Sequence, residues 1–363
     1  MSEPVEGERV DLASSAAPEL ATEAPFDVVH ADILRFFPDL VTNLGGAPCA
    51  LLQRFVGDPV GLTAADSSVS YRLLVGLLEH AATELACADF GMRLAALQGG
   101  GRVFGPMGAV MKNSSTLGDA LDYVARHSHA HSLAARIRIE PQAAEECAFV
   151  RHDILVGGLP NKRQAIEQLM LLAHLNAVEI TGGHARVRRV HFRHRPLSSR
   201  STYRRYFDCE VRFDQKEDGV VFSNQDLRCP IVDPNVQAYK AATSLIDTQF
   251  TRMTPPMHAL VRAVLLQFLG TEPCNNTQVA AELRLHPRTL HRRLRAEGQA
   301  FHQIKDEVRR DAALYYIKQT DLDLTQIAER LGYAEHSVLT RSCVRWFAAA
   351  PSRVRSQESL SKD

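Results

Sequence analysis

The chain has 363 residues, enough for two or three domains with separate cores. Hydrophobic residues make up 45% of it and charged residues 23%, and no stretch has the ~18–20 uninterrupted apolar residues of a membrane span, so the composition excludes a helical membrane protein. The formal net charge is zero, but from Asn275 onwards there are 15 Lys and Arg against 11 Asp and Glu, so the basic excess lies in the last part of the chain.

The N-terminal segment 1–25 is acidic and rich in Ala, Ser and Pro, and it has neither the basic nor the apolar region of a signal peptide. We therefore expect a disordered tail over 1–25 and a cytoplasmic protein. The seven cysteines are scattered without a CxxC pair, which indicates reduced thiols, most of them buried, rather than a zinc ribbon or a redox motif.

The region 26–232 combines two kinds of hydrophobic pattern. Apolar residues recur at helical spacing in HADILRFFPDLVTNL, YRLLVGLLEHAATELA and TLGDALDYVARH, whereas SLAARIRIE and RRVHFRH alternate as half-buried strands do. Between the two strand segments, KRQAIEQLMLLAHLNAVEI predicts a helix that packs on the sheet. The region is therefore predicted to be an α+β domain.

Two segments of this domain have alternative interpretations. His127, His129 and His131 alternate in ARHSHAHS, so they could bind a transition metal on an extended segment, or they could be ordinary exposed histidines where a helix leads into a strand. The simpler reading is favoured, and no metal site is predicted. The glycine-rich GGGRVFGPMG lacks the GK[ST] of a phosphate-binding loop, and we expect a flexible connection that could lie over a sensing pocket.

A third segment, RVRRVHFRHR, is dense in Arg and His and could be a second nucleic-acid patch. Strand alternation favours a different interpretation, with Val190 and Phe192 in the core and Arg189, His191 and Arg193 in water. The chain has no HExxH, GxSxG or Walker pattern, so no catalytic residue and no cofactor are predicted.

A Pro- and Asn-containing turn follows 232, and NVQAYKAATSLIDTQFTRM predicts a connecting helix within 233–255. Within 256–363 the patterns are helical only. MHALVRAVLLQFLG is amphipathic and closes on Gly270, and QIKDEVRRDAALYYIKQ predicts a helix over 303–318. This last domain is therefore predicted to be all-α.

The phrase TQVAAEL at 277–283 recurs as TQIAERL at 325–331, 48 positions later. Each copy opens a short helix with a capping pair, and each carries small apolar residues that let a second helix cross closely after a tight turn. This layout predicts two helix-turn-helix motifs. The capping pairs are Asn275 with Gln278 and Asp323 with Gln326, and the turn residues are Pro287 in the first motif and Gly332, a left-handed C-cap, in the second.

The second helix of each motif carries basic and polar side chains around an apolar stripe, as a recognition helix in the major groove requires. A rigid helix over 303–318 gives a spacer of roughly 24 Å, which could hold two recognition helices about one DNA turn, ~34 Å, apart. The candidate DNA-binding residues are Arg288, His291, Arg292 and Arg295 in the first motif and His336, Ser337, Arg341 and Arg345 in the second.

Roughly the last hundred residues resemble the DNA-binding domain of AraC/XylS-type transcriptional regulators, over RTLHRRLRAEGQAFHQIKDEVRRDAALYYIKQTDLDLTQIAERLGYAEHSVLTRSCVRWFAAAPSRVR. The upstream part is similar to the family branch with an arabinose-binding-type N-terminal domain, over FGMRLA, GPMGAVMKNSSTLGDALDYVARH and YFDCEVRFDQKEDGVVFSNQDLRCPI. The resemblance implies a regulator, usually an activator that works with RNA polymerase, in which 26–232 binds a small-molecule effector of unknown identity and forms a homodimer. It also implies base contacts by Arg288, His291 and Arg292, and by His336, Ser337 and Arg341.

Several positions depart from the family pattern. Arg284 stands where glycine is usual at the first turn, and a non-glycine residue with positive φ costs about 1 kcal/mol, so we expect this turn to be either strained or differently shaped. His286 replaces the usual Ser cap of the first recognition helix, with an expected loss of ~1 kcal/mol. Cys343 stands in place of a large Phe, and the Ala residues at 348–350 replace a glycine-containing turn, so we expect the second motif to be packed more loosely.

The leading interpretation is a sequence-specific transcriptional regulator that binds double-stranded DNA under the control of a small molecule. One alternative is an enzyme targeted to DNA, such as a repair alkyltransferase, which needs an activated cysteine thiolate. The sequence shows no Cys beside a His or Arg motif of that kind. Another alternative is a structural DNA-binding protein without an effector.

Overall fold

The computed structural model describes residues 27–56, 68–128, 132–159, 161–250, 255–270, 274–320 and 322–356, so the predicted tail 1–25 lies outside the described residues. Its α-helices are α1 (Phe37–Asn43), α2 (Pro48–Val56), α3 (Tyr71–Glu84), α4 (Phe90–Gln98), α5 (Pro106–Lys112), α6 (Leu117–His127), α7 (Arg163–Ile180), α8 (Arg200–Phe207), α9 (Asn224–Leu227), α10 (Val236–Phe250), α11 (Met257–Phe268), α12 (Asn276–Glu282), α13 (Pro287–Ala296), α14 (Phe301–Gln319), α15 (Leu324–Arg330), α16 (His336–Phe347) and α17 (Pro351–Ser356). Its strands are β1 (Val28–His30), β2 (Ser68–Ser70), β3 (Ala135–Gln142), β4 (Cys147–Ile154), β5 (Arg189–His191), β6 (Glu210–Arg212) and β7 (Gly219–Ser223).

The N-terminal region is built on a five-stranded sheet in the order β3-β4-β7-β5-β6. β5 and β6 are parallel, and the other neighbours are antiparallel. β1 and β2 form a separate two-stranded ribbon. The helix α7 is buried along most of its length and packs against α3, α4 and β7. The α+β prediction and the helix between the two predicted strands are confirmed.

The first predicted helix is broken in two. A 3₁₀ helix covers Ala31–Leu34, and α1 begins only after Phe36, whose φ of 65° is left-handed. Pro38 occupies the first turn of α1, where a missing N–H removes no hydrogen bond within the helix. Helical spacing alone did not reveal this break, because the apolar residues on both sides of it enter the same core.

The segment GGGRVFGPMG was predicted to be a flexible connection, and this prediction is wrong. It forms a 3₁₀ helix, Gly101–Phe104, followed directly by α5. A Cβ atom on Gly101 would clash with the side-chain oxygen of Asn176 in α7, and one on Gly108 would clash with the carbonyl group of Gly101. These two glycines therefore allow close packing between backbone and neighbouring groups.

The alternation predicted around β5 is confirmed for Val190 and Phe192, which are both fully buried. It is wrong for Arg193, which was expected in water. The guanidinium of Arg193 lies 4.9 Å from the ring centre of Tyr315 and donates a hydrogen bond to the hydroxyl of Tyr316 at 3.3 Å. Both tyrosines belong to α14, so a contact with the C-terminal region covers this arginine.

The predicted histidine cluster is only partly described. His127 is the last residue of α6, where its ring stacks on Tyr123 at 4.0 Å, whereas His129 and His131 lie outside the described residues. Within the described ranges, no three His, Cys, Asp or Glu side chains come together as metal ligands.

The predicted connecting helix is α10. It packs on α5, and its residues Ala242 and Ile246 are buried in the same hydrophobic core as the N-terminal helices. Two smaller cores follow and share α14. The first uses α11, α12, α13 and α14 as far as Val308, and the second uses α14 from Ala312 together with α15, α16 and α17.

The C-terminal region is therefore all-α, with two helix-turn-helix motifs joined by one helix, as predicted. Among the described helices, none combines the length and the apolar surface needed to cross a membrane.

Candidate DNA interface and effector cavity

Both motifs begin with the predicted reciprocal cap. The N–H of Gln278 donates to the side chain of Asn275 at 2.9 Å, and the N–H of Asn275 donates to the side chain of Gln278 at 3.0 Å. The same two bonds join Asp323 and Gln326 at 2.8 and 3.0 Å. Each pair satisfies amide groups that the first turn of a helix leaves free, so both predicted starts are confirmed.

The turn between the helices is the same Schellman motif in both copies. Its left-handed position holds Arg284 with a φ of 54° in the first copy and Gly332 with a φ of 70° in the second. Of the two expectations for this turn, strained or differently shaped, the structure shows the first, because Arg284 keeps the positive φ, which costs about 1–2 kcal/mol for an L residue with a side chain. The backbone bonds that close the two turns run from Leu285 N to Ala280 O at 2.8 Å and from Tyr333 N to Ala328 O at 2.9 Å.

The second turn is one residue longer than the first. The first helices of the two motifs begin 48 positions apart, whereas the recognition helices α13 and α16 begin 49 positions apart. Arg292 is therefore equivalent to Arg341, and Arg295 is equivalent to Val344. Three pairs of equivalent residues show this spacing of 49 positions. They are the N-caps His286 and Glu335, the buried Leu290 and Leu339, and the buried Leu294 and Cys343.

One face of α13 carries the four residues predicted for the first motif. Because an α-helix turns by about 100° per residue, these four residues project from the same side of α13. This side is opposite the buried Leu290 and Leu294. Arg293 is also exposed, but it lies about 100° around the helix from Arg292. The four residues that share the face, all of them exposed, are Arg288, His291, Arg292 and Arg295.

His286 caps α13, so the expected loss of capping is wrong. Its ring nitrogen Nδ1 accepts a hydrogen bond from the N–H of Arg288 at 3.2 Å. A neutral imidazole has one nitrogen that can accept, and here it takes the place of the serine oxygen. Pro287 occupies the first helical position, as predicted.

The second recognition helix presents a smaller polar face. Arg341 is exposed on it, Ser337 is half-buried, and Val344, 51% exposed, takes the position equivalent to Arg295. The hydroxyl of Ser337 donates to the carboxylate of Glu335 at 2.9 Å. His336 is exposed and is the first residue of α16.

Arg345 follows Arg341 by one helical turn, and its side chain contacts α14. Its guanidinium donates to one carboxylate oxygen of Asp306 at 2.5 Å, and the indole N–H of Trp346 donates to the other at 2.9 Å. The side chain of Arg345 is still 63% exposed, so the ion pair contributes at most ~1 kcal/mol. Ser337, Arg341 and Arg345 thus follow one another at intervals of one turn, and the side chain of Arg345 is held on α14 by Asp306.

The departures noted near the end of α16 have distinct structures. Cys343 is fully buried in the second core, and Ala348 ends the helix in the left-handed region with a φ of 52°. Burial raises the pKa of the Cys343 thiol to about 11, and the pKa values of Cys87 and Cys209 are raised to about 11 in the same way. An alkyltransferase needs the opposite shift. Looser packing of the second motif stays a prediction.

An apolar cavity of about 90 Å³ lies inside the N-terminal region. Helices α5, α6 and α7 and strands β3, β4 and β7 supply its walls. Sequence analysis missed β4 and β7, and with them the sheet side of the cavity. The short apolar runs CAFV and GVVF were the available signal. Among the side chains that line the cavity are Met107, Met111, Leu121, Leu169, Met170 and Phe222.

The N-terminal region contacts the helix that joins the two motifs. The N–H of Gly158 donates to a carboxylate oxygen of Asp311 in α14 at 2.9 Å, and Asp311 also pairs with Arg262 of α11. A cleft of about 370 Å³ lies beside these contacts and is lined by charged residues of both regions. Lys162 is one of them, and burial together with the charge of Arg193 lowers the pKa of its ammonium group to about 8.

Comparison with known proteins gives matches to both regions. Residues 45–231 match the arabinose-binding domain of AraC transcription regulator, N-term, and residues 279–357 match a helix-turn-helix domain. The chain is 33% identical to the HTH-type transcriptional regulator VirS of Mycobacterium tuberculosis, over 92% of this chain and 98% of that protein. It is 26% identical to the ornithine utilization regulator of Pseudomonas aeruginosa, over 69% of this chain and 74% of that protein. Among solved structures, the transcriptional regulator CdpR from Pseudomonas aeruginosa is 20% identical, covers 90% of this chain and 98% of its own, and has a TM-score of 0.45.

Proposed function

The chain belongs to the AraC family of transcriptional regulators, and on that premise we propose that it recognises a two-part DNA site through α13 and α16. In this proposal Arg288, His291 and Arg292 contact bases in one major groove, and Arg341 and Ser337 do so in the next. Arg295 holds phosphate beside the first groove. His336 and Arg345 lie at the edges of the second groove, where they contact the sugar-phosphate backbone.

The observation that carries the proposal is the pairing of two equivalent recognition helices on one continuous helix, α14. α14 has 19 residues, so it is about 28 Å long. Each recognition helix is fixed to it by its own small core. Adding the radii of the helices at both ends brings the separation close to one turn of DNA, ~34 Å.

The test is selection of bound duplexes from a random DNA pool by the full-length protein. We expect a site with two half-sites whose centres are about 10 base pairs apart, and we call the selected sequence the operator below. Binding should weaken steeply with salt, because phosphate contacts release counterions. Selection of a single half-site would contradict simultaneous use of both motifs, and no enrichment of any sequence would overturn sequence-specific recognition.

We also propose that the protein is an activator that works with RNA polymerase. In this proposal the N-terminal region binds a small-molecule effector, forms a homodimer and thereby controls the DNA-binding region. The contact of Arg193 with α14 supports control of the DNA-binding region by this domain. A fragment from Pro256 to the C-terminus should then bind the operator without an effector. Sedimentation that finds only monomers at micromolar concentration, with and without operator, would refute the dimer.

A further inference from the structure

We propose that the effector is a small, largely apolar molecule that binds in the cavity between α5, α6, α7 and the β3-β4-β7 face, with His152 and Asn176 as its hydrogen-bonding partners. The inference rests on the proposed function, because it names the class of effector that this regulator senses. It concerns a neutral molecule such as an aromatic or alicyclic alcohol and excludes a sugar.

The wall of the cavity decides the class. Almost all side chains that line it are aliphatic, aromatic or methionine, and the polar ones are Ser128, Arg151, His152 and Asn176. Arg151 is already paired with Asp153 at 2.8 Å and with Glu217. Burying a hydroxyl group without a partner is unfavourable, and a sugar, which is hydroxylated on nearly every carbon, would lose most of its hydrogen bonds here.

His152 offers one polar contact on the sheet side. Strand alternation places it on the same face of β4 as Val150, which also lines the cavity. Its side chain is nine-tenths buried, and its Nε2 atom has no hydrogen-bond partner within the described part of the chain. Burial lowers the pKa of His152 to about 4, so the ring is neutral at pH 7 and suits an uncharged ligand.

Asn176 offers the second contact from the helix side. It is 5% exposed, and its Oδ1 atom lies against Gly101, so the amide nitrogen is the group it offers to the cavity. Its amide nitrogen makes only a weak bond, 3.4 Å long, to the sulfur of Met111. Buried polar atoms are normally well paired in folded proteins, so the unpaired Nε2 of His152 and the weakly bonded amide nitrogen of Asn176 at one apolar cavity point to a ligand that pairs with them.

The cavity can adapt to its occupant. Its volume of about 90 Å³ is below the ~300–1,000 Å³ of sites for drug-sized ligands, so the occupant is small. Met107, Met111 and Met170 line it from two helices. Methionine is unbranched and flexible, so these three side chains can repack around molecules of slightly different shape.

The test uses the full-length protein with ¹³C-labelled methionine methyl groups, followed by NMR. Benzyl alcohol, ethylbenzene and L-arabinose are titrated separately. We expect saturable shifts of the Met107, Met111 and Met170 signals with the two apolar probes, no shift of these signals with L-arabinose, and unchanged signals from Met92 in α4 and Met257 in α11. Ala173→Leu, which fills the cavity from α7, should abolish the shifts, whereas Val178→Leu on the same helix should not.

The hydrogen bonds are tested with His152→Leu and Asn176→Leu, each checked for folding by circular dichroism. Either change should weaken the binding of benzyl alcohol by about tenfold and leave the binding of ethylbenzene unchanged, because only the alcohol can form a hydrogen bond with the group that is removed. Equal weakening of both probes would remove the assigned anchors.

If L-arabinose shifts the three methyl signals and the apolar probes do not, the proposed class of effector is wrong, although the proposed binding site is correct. No response to any probe would overturn the site. Operator selection by the same protein tests the regulatory function separately, so its failure is distinguishable from either result.

Discussion

Replacement of Arg292 by alanine tests whether α13 reads bases, and Arg293 provides the matched control. Both arginines are exposed on the same helix. Each replacement removes one positive charge and introduces alanine, which favours the helical conformation. The two side chains differ in direction by about 100°. Arg292 shares its face with Arg288 and Arg295, whereas Arg293 lies to one side of that face.

The expected magnitudes differ between the two variants. A bidentate arginine–guanine contact contributes about 1–3 kcal/mol of discrimination at one base pair, which is about 5- to 150-fold in affinity. A phosphate contact contributes equally to all sequences, and its loss lowers the slope of log affinity against log salt by about one unit. We expect Arg292→Ala to reduce the ratio of operator to scrambled-DNA affinity by about 5- to 150-fold, and Arg293→Ala to leave this ratio unchanged.

The equivalence of Arg341 with Arg292 extends the experiment to the second motif. Arg341→Ala should lower selectivity at the other half-site, while Arg295→Ala should mainly reduce affinity for both DNAs. Fluorescence anisotropy with operator and scrambled duplexes over a salt series measures both quantities, after circular dichroism has shown that each variant is folded. If Arg292→Ala weakens both DNAs equally, or if Arg293→Ala reduces selectivity as much, the assigned recognition face is wrong.

Three further predictions concern stability and control. Arg284→Gly should raise the free energy of unfolding, measured by urea denaturation, by up to about 1 kcal/mol. The variant relieves left-handed strain of ~1–2 kcal/mol, which exceeds the ~0.5–1 kcal/mol that the greater entropy of glycine in the unfolded state costs. Gly332→Ala should lower the free energy of unfolding for the same reasons. Burial raises the pKa of Glu167 to about 8, whereas in the unfolded chain it titrates near 4.3, so at this residue the unfolded state binds fewer protons between these values and its contribution to stability falls as pH rises from about 5 to 8. Glu167→Gln should remove this contribution, so in thermal denaturation the stability of the wild-type protein relative to the variant should fall across that range. Arg193→Ala removes the contact with Tyr316, so operator affinity without effector should rise in anisotropy; a decrease would contradict restraint by the N-terminal region.

The two helix-turn-helix motifs could be predicted because their determinants are local. The capping pairs lie three residues apart, and the glycine and proline at the turns act on their own backbone. The extra residue in the second turn is equally local but changes which side chain faces outward. The position of Arg345 could not be predicted, because its partner Asp306 is 39 residues away on another helix.

The sheet of the N-terminal region was only half predictable. β3 and β5 alternate clearly, whereas β4 is almost completely buried and carries Arg151 and Asp153 within an apolar run. Those charges are tolerated because Arg138 on the neighbouring strand also pairs with Asp153, at 3.0 Å. A pairing between strands is invisible in the pattern of one strand, so the sequence indicated neither β4 nor the cavity that it lines.

β4 also connects the cavity to the DNA-binding region. The N–H of His152 donates to the carbonyl of Asp218 at 3.1 Å, the carboxylate of Asp218 accepts from the N–H of Arg193 at 2.8 Å, and the side chain of Arg193 reaches Tyr316 in α14. A ligand at His152 therefore lies three hydrogen bonds from the helix that spaces the two motifs.

Proximity alone gives no control, since a ligand shifts an equilibrium only by the difference in its affinity for the two states. In the proposed control, the two states are Arg193 docked on α14, as in this structure, and Arg193 released from it. If the ligand prefers one of them, operator DNA must change the affinity of the cavity by the same factor as the ligand changes the affinity for DNA, because linkage is reciprocal. Loss of the Arg193 contact must then remove both effects together.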